Sequence, residues 1–425
     1  MKKQQSVISD SIKKHLLRAG GYIRAFMTWI TAGLILGAAG GIVGGAFSLT
    51  VKHVTAFRLE HAWIVWLLPV GGLLITLLYH ASGWRPTDTN GVLVALHQPK
   101  GISLSTGPII FISASLSHLL GASVGREGAA LQLGGVLGYG LVKLVKTQRE
   151  DTEGIIMCGM SAVFAALFGT PLAAAFFAIE VASVGILKYN AIIPCLTSSF
   201  VAVKVANSMG ASGDFFPIND AMPFFSGNIL AVAAIAALAG LMSILYCTSL
   251  RQGEKLIDRF LPNYFIRAAA GGLLIALLTA AVGPRYNGAG MNVIEAAVNE
   301  GTALPQDFII KLVFTVISVT AGFKGGEIVP AMFIGSTLGC VVAPTLGLDP
   351  SLGAAVGLLA MFCGSLNCPI SSILLGAELF GASNLYFFAI ACAVSYMLSA
   401  NFGLYKEQMI IYSKVKAKEI DHFTD

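Results

Sequence analysis

The segment Gly121-Ala122-Ser123-Val124-Gly125-Arg126-Glu127-Gly128-Ala129-Ala130 places two charged residues, Arg126 and Glu127, in a glycine-rich break between two long apolar stretches. An ionised side chain at bilayer depth costs roughly 3 kcal/mol or more, so it is retained only beside partners, in water or in a transport path. Irregular backbone at that depth must line a cavity or be buried, and a helix that begins there points free N–H groups into the space. The segment predicts a functional site within a membrane.

The composition indicates that lipid surrounds most of the chain. Of the 425 residues, 56% are hydrophobic, only 12% are charged, and 48 are glycines. This balance is far from that of an average soluble domain. Several apolar runs reach the ~20 residues needed to cross a bilayer, and we therefore predict an integral membrane protein of many spans. The runs cover residues 28–50, 62–78, 155–185, 189–203, 228–249, 266–282, 328–346 and 353–364.

Basic residues flank the apolar part of the chain at both ends. By the positive-inside rule, these clusters predict that both termini are cytoplasmic and that the protein lies in the cell membrane. We assign the net charge of +5 to loops that face anionic lipid, and we expect no nucleic-acid partner. The residues are Lys2, Lys3, Lys13, Lys14, Arg18 and Arg24 at the start, and Lys406, Lys414, Lys416 and Lys418 at the end.

The seven cysteines lie in apolar segments and show no Cys-x-x-Cys spacing. We interpret them as small core residues, and we expect neither a metal site nor a cofactor.

An internal repeat is the strongest signal of domain organisation. The segment Gly71-Gly72-Leu73-Leu74-Ile75-Thr76-Leu77-Leu78 recurs as Gly271-Gly272-Leu273-Leu274-Ile275-Ala276-Leu277-Leu278, a displacement of 200 residues. Further matches in register indicate a tandem duplication. They are Gly83 with Gly283, Arg85 with Arg285 and Glu127 with Glu327 at the same displacement, and Pro171 and Glu180 with Pro369 and Glu378 at a displacement of 198.

The duplication predicts an all-α membrane protein built from two repeats, residues 25–205 and 225–412, joined by a linker at 206–224. Residues 1–24 and 413–425 are the predicted cytoplasmic N-terminal segment and C-terminal tail. Counting candidate helices yields about nine in the first repeat. An odd number would invert the second repeat relative to the first.

Inverted repeats with broken helices at matching positions place a binding site at their interface, near the midplane of the membrane. We expect the glycine-rich segments 121–128 and 322–330 to approach each other there. The N-termini of the helices that follow would then converge on one point. Converging positive dipole ends and free amides favour an anion.

Four short motifs occur in order along this duplicated scaffold: Gly125-Arg126-Glu127-Gly128, Pro171-Leu172-Ala173, Gly325-Gly326-Glu327-Ile328-Val329-Pro330 and Leu404-Tyr405. Together they resemble the CLC family of anion channels and proton-coupled anion antiporters. The resemblance implies a homodimer with one anion pathway per subunit. It also implies that Glu127 is the gate, which occupies the outer anion site when ionised and carries a proton when neutral.

The same resemblance implies which residues bind the anion. The backbone amides of Glu327 and Ile328, and those around Arg126 to Gly128, would hold it, and the Tyr405 hydroxyl would contact it at the central site. The central-serine motif of the family aligns with Asp88-Thr89-Asn90-Gly91-Val92, so that Thr89 offers the hydroxyl.

Some positions depart from the commonest pattern of the family. Ala129 stands where proline is usual, Val181 stands where many chloride antiporters have an inner proton-transfer glutamate, and Glu327 replaces an aliphatic residue. These departures resemble the fluoride–proton branch. We therefore predict a transporter, not an enzyme, that exports a halide, fluoride in preference to chloride, in exchange for protons.

Other interpretations of the same residues stay open. A passive gated anion channel on this fold is the main alternative, and Gly121-Ala122-Ser123-Val124-Gly125 matches the Gly-x-Ser-x-Gly elbow of a serine hydrolase. Structural roles are also available to the candidate site residues. Glu127 would pair with Arg126, Glu327 and Thr89 would cap helices, Tyr405 would anchor at the interface, and Glu180 and Glu378 would share a hydrogen-bonding role.

Overall fold

The computed structural model describes residues 2–83, 89–98, 101–145, 149–218, 222–414, 416 and 418–424. Arg85 and Asp88, which entered the predictions above, lie outside the described residues. The side chains of residues 2–19 lie outside them as well, so the position of the basic side chains at the N-terminus is not described.

Helices dominate the described residues, as predicted. Eight of them are long and apolar enough to cross a membrane, and five more apolar helices are shorter. In the first half, α1 to α8 span Lys2–Glu60, Leu68–Ala81, Thr89–His97, Thr106–Leu120, Glu127–Val145, Arg149–Phe168, Pro171–Glu180 and Ile192–Ser208. In the second half, α9 to α16 span Ser226–Phe260, Tyr264–Val282, Met291–Asn299, Asp307–Thr320, Ile328–Val342, Pro350–Leu366, Pro369–Phe380 and Leu385–Leu398.

A small sheet ties the end of the chain to the first half. Strand β1 (Ser183–Val184) pairs in parallel with β2 (Met409–Tyr412), and β2 pairs antiparallel with β3 (Glu419–Phe423). The Arg251 guanidinium donates to the carbonyls of Thr424, at 3.0 Å, and Gly403, at 2.9 Å. Part of the predicted tail is therefore held against the membrane domain.

Helices α2 and α10, which occupy equivalent positions in the two halves, pack against each other in antiparallel orientation. A Cβ atom built on Gly72 would lie 2.8 Å from the carbonyl oxygen of Ala268, and one on Gly272 would lie 2.8 Å from that of Leu68. Glycine is needed at both positions because α2 and α10 approach this closely. Gly72 faces Ala268, and Leu68, which comes four residues earlier than Gly72, faces Gly272, which comes four residues later than Ala268. The two equivalent helices therefore run in opposite directions. The repeats are inverted, as predicted.

Among the described residues, each half contains eight α-helices and two short 3-10 helices, close to the predicted count of about nine. Several of these are too short to cross a bilayer, so the number of helices does not fix the orientation of the second half. The inversion follows instead from the antiparallel contacts.

The predicted structural role of Glu180 and Glu378 is confirmed. Glu180, at the end of α7, accepts from the backbone N–H groups of Ile370 at 3.1 Å and Ser371 at 2.8 Å, in the first turn of α15. Glu378 of α15 accepts in return from Leu172 at 2.8 Å and Ala173 at 2.9 Å, in the first turn of α7. Each carboxylate satisfies orphan N–H groups and lies at a positive helix end.

Candidate anion site

The two glycine-rich breaks are joined by a pair of backbone hydrogen bonds. The Gly125 N–H donates to the carbonyl of Gly326 at 2.7 Å, and the Gly326 N–H donates to the carbonyl of Gly125 at 2.8 Å. The prediction that segments 121–128 and 322–330 approach each other is confirmed. Helices α5 and α13 begin directly after this bridge, so their N-termini lie together.

The equivalence between the repeats is shifted by one residue at this point. The Ser123 N–H donates to Ser318 Oγ at 2.9 Å, and the Lys324 N–H donates to Ser117 Oγ at 3.1 Å. These reciprocal bonds require a displacement of 201, whereas α2 and α10 match at 200. Glu127, the first residue of α5, is therefore equivalent to Ile328, the first residue of α13. The predicted equivalence of Glu127 with Glu327 is wrong, because one residue has been inserted between the two regions.

The Glu127 carboxylate lies at the N-terminus of α13. The residue is fully buried, and its Oε1 accepts from the backbone N–H of Val329 at 2.7 Å. A helix N-terminus favours negative charge because its first N–H groups have no partner within the helix. The resemblance singled out the amides of Glu327 and Ile328, and the structure adds that of Val329.

Glycines make room for this carboxylate. A Cβ atom on Gly125 would lie 2.3 Å from both Glu127 carboxylate oxygens. One on Gly326 would lie 2.6 Å from Glu127 Oε1 and 2.5 Å from the backbone nitrogen of Gly128. Any larger residue at either position conflicts with the observed place of the Glu127 side chain.

Arg126 turns away from Glu127. Its guanidinium pairs with Asp214 at 2.5 Å and lies 5.4 Å from the centre of the Phe168 ring. The alternative that Glu127 is the structural partner of Arg126 is therefore wrong. Asp214 belongs to the predicted linker, so the pair also ties that segment to the site.

A cavity of about 380 Å³ brings together the remaining candidates. Its lining includes Thr89, Asn90, Gln132, Glu327 and Tyr405. The Thr89 hydroxyl donates to the carbonyl of Gly128 at 3.5 Å. Gly128 directly follows Glu127 in the chain. Tyr405 is buried and thus does not serve as an exposed interfacial anchor. Both predicted hydroxyl residues lie in one cavity, beside the start of α5.

Glu327 is half-buried and lines the same cavity. It stands at the N-cap position of α13, but its side chain makes no capping hydrogen bond. The alternative that it caps its own helix is therefore wrong. Its backbone carbonyl accepts from the Tyr246 hydroxyl at 2.9 Å, which fixes the entry to α13 from a third helix, α9.

The geometry excludes the interpretation of Gly121-Ala122-Ser123-Val124-Gly125 as a hydrolase nucleophile elbow. A nucleophile elbow needs a strand before the serine, whereas helix α4 precedes Ser123. Ser123 is fully buried, and its hydroxyl lies 3.0 Å from that of Thr315. The imidazole of His118 lies 3.2 Å from the carbonyl of Gly125. Ser123 thus joins the first break to helix α12.

Ser123→Ala is accordingly expected to leave anion flux within about a factor of three of the parent, because it removes one neutral hydrogen bond worth about 1 kcal/mol. Its backbone N–H, which bonds Ser318, is retained. The measurement is anion efflux from liposomes, together with labelling by a fluorophosphonate probe. Covalent labelling that disappears in Ser123→Ala would contradict the transporter interpretation.

Residues 85–400 match the family model described as voltage gated chloride channel. The chain belongs to this CLC family. It is 37% identical over 396 residues to a chloride/fluoride channel protein of Pseudomonas syringae pv. tomato, an alignment that covers 91% of this chain and 87% of that protein. The resemblance drawn from the motifs is confirmed.

Solved structures of CLC proteins agree with the fold. The crystal structure of a CLC-type fluoride/proton antiporter matches with a TM-score of 0.87 and 32% identity, covering 90% of this chain and 98% of that one. A slow cyanobacterial Cl⁻/H⁺ antiporter matches with a TM-score of 0.77 at 20% identity, covering 87% and 94%, and supports the fold alone. Members of the family transport ions, and this chain is an integral membrane protein.

Proposed function

We propose that this protein is a halide–proton antiporter that exports fluoride, or chloride, in exchange for protons. One observation carries the proposal: a fully buried carboxylate, Glu127, accepts from the N-terminal amide of α13 at the point where two inverted repeats meet. The placement is that of an anion bound at a helix end. The names of the relatives, a chloride/fluoride channel protein and a fluoride/proton antiporter, support the substrate class.

Exchange follows from competition for the same donors. When Glu127 is ionised, its carboxylate holds the N–H of Val329 and closes the site. When Glu127 takes up a proton, it loses its charge and much of its attraction for the positive helix end. A halide then replaces it, bound by backbone amides from both breaks. We assign these to Arg126 and Gly128 on one side, and to Glu327, Ile328 and Val329 on the other.

The cavity supplies another site for the halide, beside the one that the Glu127 carboxylate occupies. The Tyr405 hydroxyl and the Thr89 hydroxyl both belong to its lining, and Thr89 lies next to the start of α5. We assign the central anion contacts to these two hydroxyls. Because neutral hydroxyl donors bind an anion less strongly than charged groups do, the halide can leave again, which transport requires.

A passive channel is the second candidate, and Val181 leaves it open, although the same residue also resembles the fluoride–proton branch. This residue is fully buried and aliphatic, so no proton can be held at the position where many chloride antiporters carry a glutamate. Coupling then rests on Glu127. Antiporter and channel differ in one measurable property: an antiporter moves protons uphill when only a halide gradient is supplied, and a channel does not. Reconstituted liposomes, with pH recorded and voltage set by an ionophore, distinguish them.

Fluoride is expected to leave such liposomes about tenfold faster than chloride at equal gradients. Fluoride is small and strongly hydrated, so its site must replace a costly water shell with short, strong donors. Converging amides and two hydroxyls provide such donors. Parallel efflux recordings with ion-selective electrodes test this expectation. If chloride leaves as fast as fluoride or faster, the fluoride assignment fails while the exchange mechanism stands.

We further propose a homodimer in the cell membrane with both termini in the cytoplasm, surrounded by lipid. The basic residues at both ends of the chain support the orientation. The repeat boundaries at residues 25–205 and 225–412, with the linker at 206–224, likewise stay predictions.

A further inference from the structure

Tyr405 lies in an irregular stretch of the chain, residues 399–408, between α16 and β2. The backbone groups of such a stretch find their hydrogen-bond partners in other parts of the fold, and those partners decide its shape. Tyr405 is buried, and its hydroxyl is the central anion contact of the proposed function. A phenol hydroxyl stands at the far end of a long side chain, so its position depends on how firmly this stretch is held.

Thr424, in the predicted C-terminal tail, holds the backbone of Tyr405. Its hydroxyl donates to the Tyr405 carbonyl at 2.6 Å, and its backbone N–H donates to the Gln408 carbonyl at 3.1 Å. The Gln408 N–H donates to the same Tyr405 carbonyl at 3.1 Å. Thr424 is 6% exposed, so its bonds lie in a low-dielectric setting that strengthens them. Thr424 therefore binds both ends of the turn from Tyr405 to Gln408.

Arg251 of α9 fixes Thr424 in turn. Its Nη1 donates to the Thr424 carbonyl at 3.0 Å, and its Nη2 donates to the Thr424 hydroxyl at 3.2 Å and to the Gly403 carbonyl at 2.9 Å. The Thr424 hydroxyl thus accepts from the guanidinium and gives its own proton to Tyr405. Because the guanidinium is a rigid planar fork, these bonds set the spacing between Gly403 and Thr424. Arg251 and Thr424 together form a tail clamp on the stretch that carries Tyr405.

The helix that carries Arg251 also holds another part of the cavity lining. Tyr246 of α9 donates from its hydroxyl to the carbonyl of Glu327 at 2.9 Å, directly before α13 begins. Arg251, Glu327 and Tyr405 all line the cavity. One continuous helix of 35 residues therefore sets the spacing between the amides at the start of α13 and the stretch that carries the Tyr405 hydroxyl.

We propose that the tail clamp positions the Tyr405 hydroxyl for the halide, so that Thr424 is a positioning residue of the central anion site although it lies outside the cavity lining. A hydrogen bond weakens steeply when its donor is misdirected. A binding group must be held within about 0.5 Å of its working position, and hydrogen bonds from the residues behind it provide that precision. The inference rests on the Tyr405 contact of the proposed function.

Thr424→Val removes the hydroxyl and keeps the shape of the side chain and the backbone bonds of residue 424. We expect the fluoride concentration at half-maximal efflux from liposomes to rise about fivefold, the equivalent of one neutral hydrogen bond, while the maximal rate stays within about a factor of two of the parent. Thr424→Ser, which restores the hydroxyl, should restore the parental value. Thr345→Val is the matched control, because it removes a hydroxyl bond to the Val342 carbonyl at an exposed position.

A double-mutant cycle separates positioning from a general stabilisation of the fold. Tyr405→Phe lacks the hydroxyl, so adding Thr424→Val to it should change the half-saturating fluoride concentration by less than about 1.5-fold. The same fivefold loss in both backgrounds would overturn the inference, and so would a parental value in Thr424→Val. A parental value in Tyr405→Phe would overturn the hydroxyl contact and the inference with it.

Arg251→Lys takes the place of Thr424→Val in the same cycle if that variant folds poorly. The lysine keeps the positive charge beside the cavity but not the planar fork, so we expect a similar loss, again absent in the Tyr405→Phe background. Calorimetric titration of the detergent-purified full-length variants with sodium fluoride provides the same comparison for binding alone. Failure of the antiporter proposal is a different result, because the parent would then move no protons against a gradient while the cycle still measures halide binding.

Discussion

Glu127→Gln is expected to abolish proton movement driven by a halide gradient. The amide has the size of the carboxylate, and its oxygen can still accept from the Val329 N–H. It cannot take up or release a proton in the physiological range, so it represents the protonated gate permanently. Liposomes loaded with fluoride, with voltage clamped by an ionophore and external pH recorded, should show no proton uptake above the background of empty liposomes.

The halide itself should then either leak without protons or stop, and both outcomes agree with a gate that titrates. Glu295→Gln is the matched control, because Glu295 is exposed on α11. It should pump protons at the parental rate. Unchanged pumping by Glu127→Gln would remove the central claim of the proposed mechanism.

Gly125→Ala should open the gate by displacing the Glu127 carboxylate. The added Cβ would lie 2.3 Å from both Glu127 oxygens, and no backbone atom is among its three nearest neighbours. The side chain of Glu127 can therefore move aside while the bridge between the breaks persists. The displaced carboxylate loses its bond to Val329, which for a charged partner is worth about 1.5–3 kcal/mol. We expect occupancy of the closed position to fall by about tenfold or more.

The measurement is the ratio of protons to fluoride in the same liposomes. This ratio should fall several-fold in Gly125→Ala while fluoride efflux continues. Gly107→Ala on α4 is the matched control, since its Cβ would meet only Val136, at an ordinary 3.4 Å. A parental ratio in Gly125→Ala would show that the carboxylate position seen here does not control coupling.

The amino-acid sequence by itself determined the class of protein and the region of the site. The apolar composition predicts a membrane protein, because charged side chains are costly within lipid and this chain carries few of them. The recurrence of residues 71–78 at 271–278 reveals the duplication, and the broken segments 121–128 and 322–330 mark the place where the repeats meet. These features are local or periodic along the chain, so the sequence alone is sufficient to identify them. The same holds for Glu180 and Glu378, whose matched positions on apolar helices predicted a shared role.

Only the tertiary structure decided which groups touch. The Glu127 carboxylate meets the amide of Val329, and the equivalence between the two breaks is displaced by 201 residues instead of 200. Arg126 pairs with Asp214 and not with its neighbour Glu127. The partners in each of these contacts are far apart in the chain and are brought together by the packing of the two repeats. A displacement of one residue along a helix turns a side chain by about 100°. Offsets this small decide which groups meet at the site, and neither composition nor short motifs reveal them.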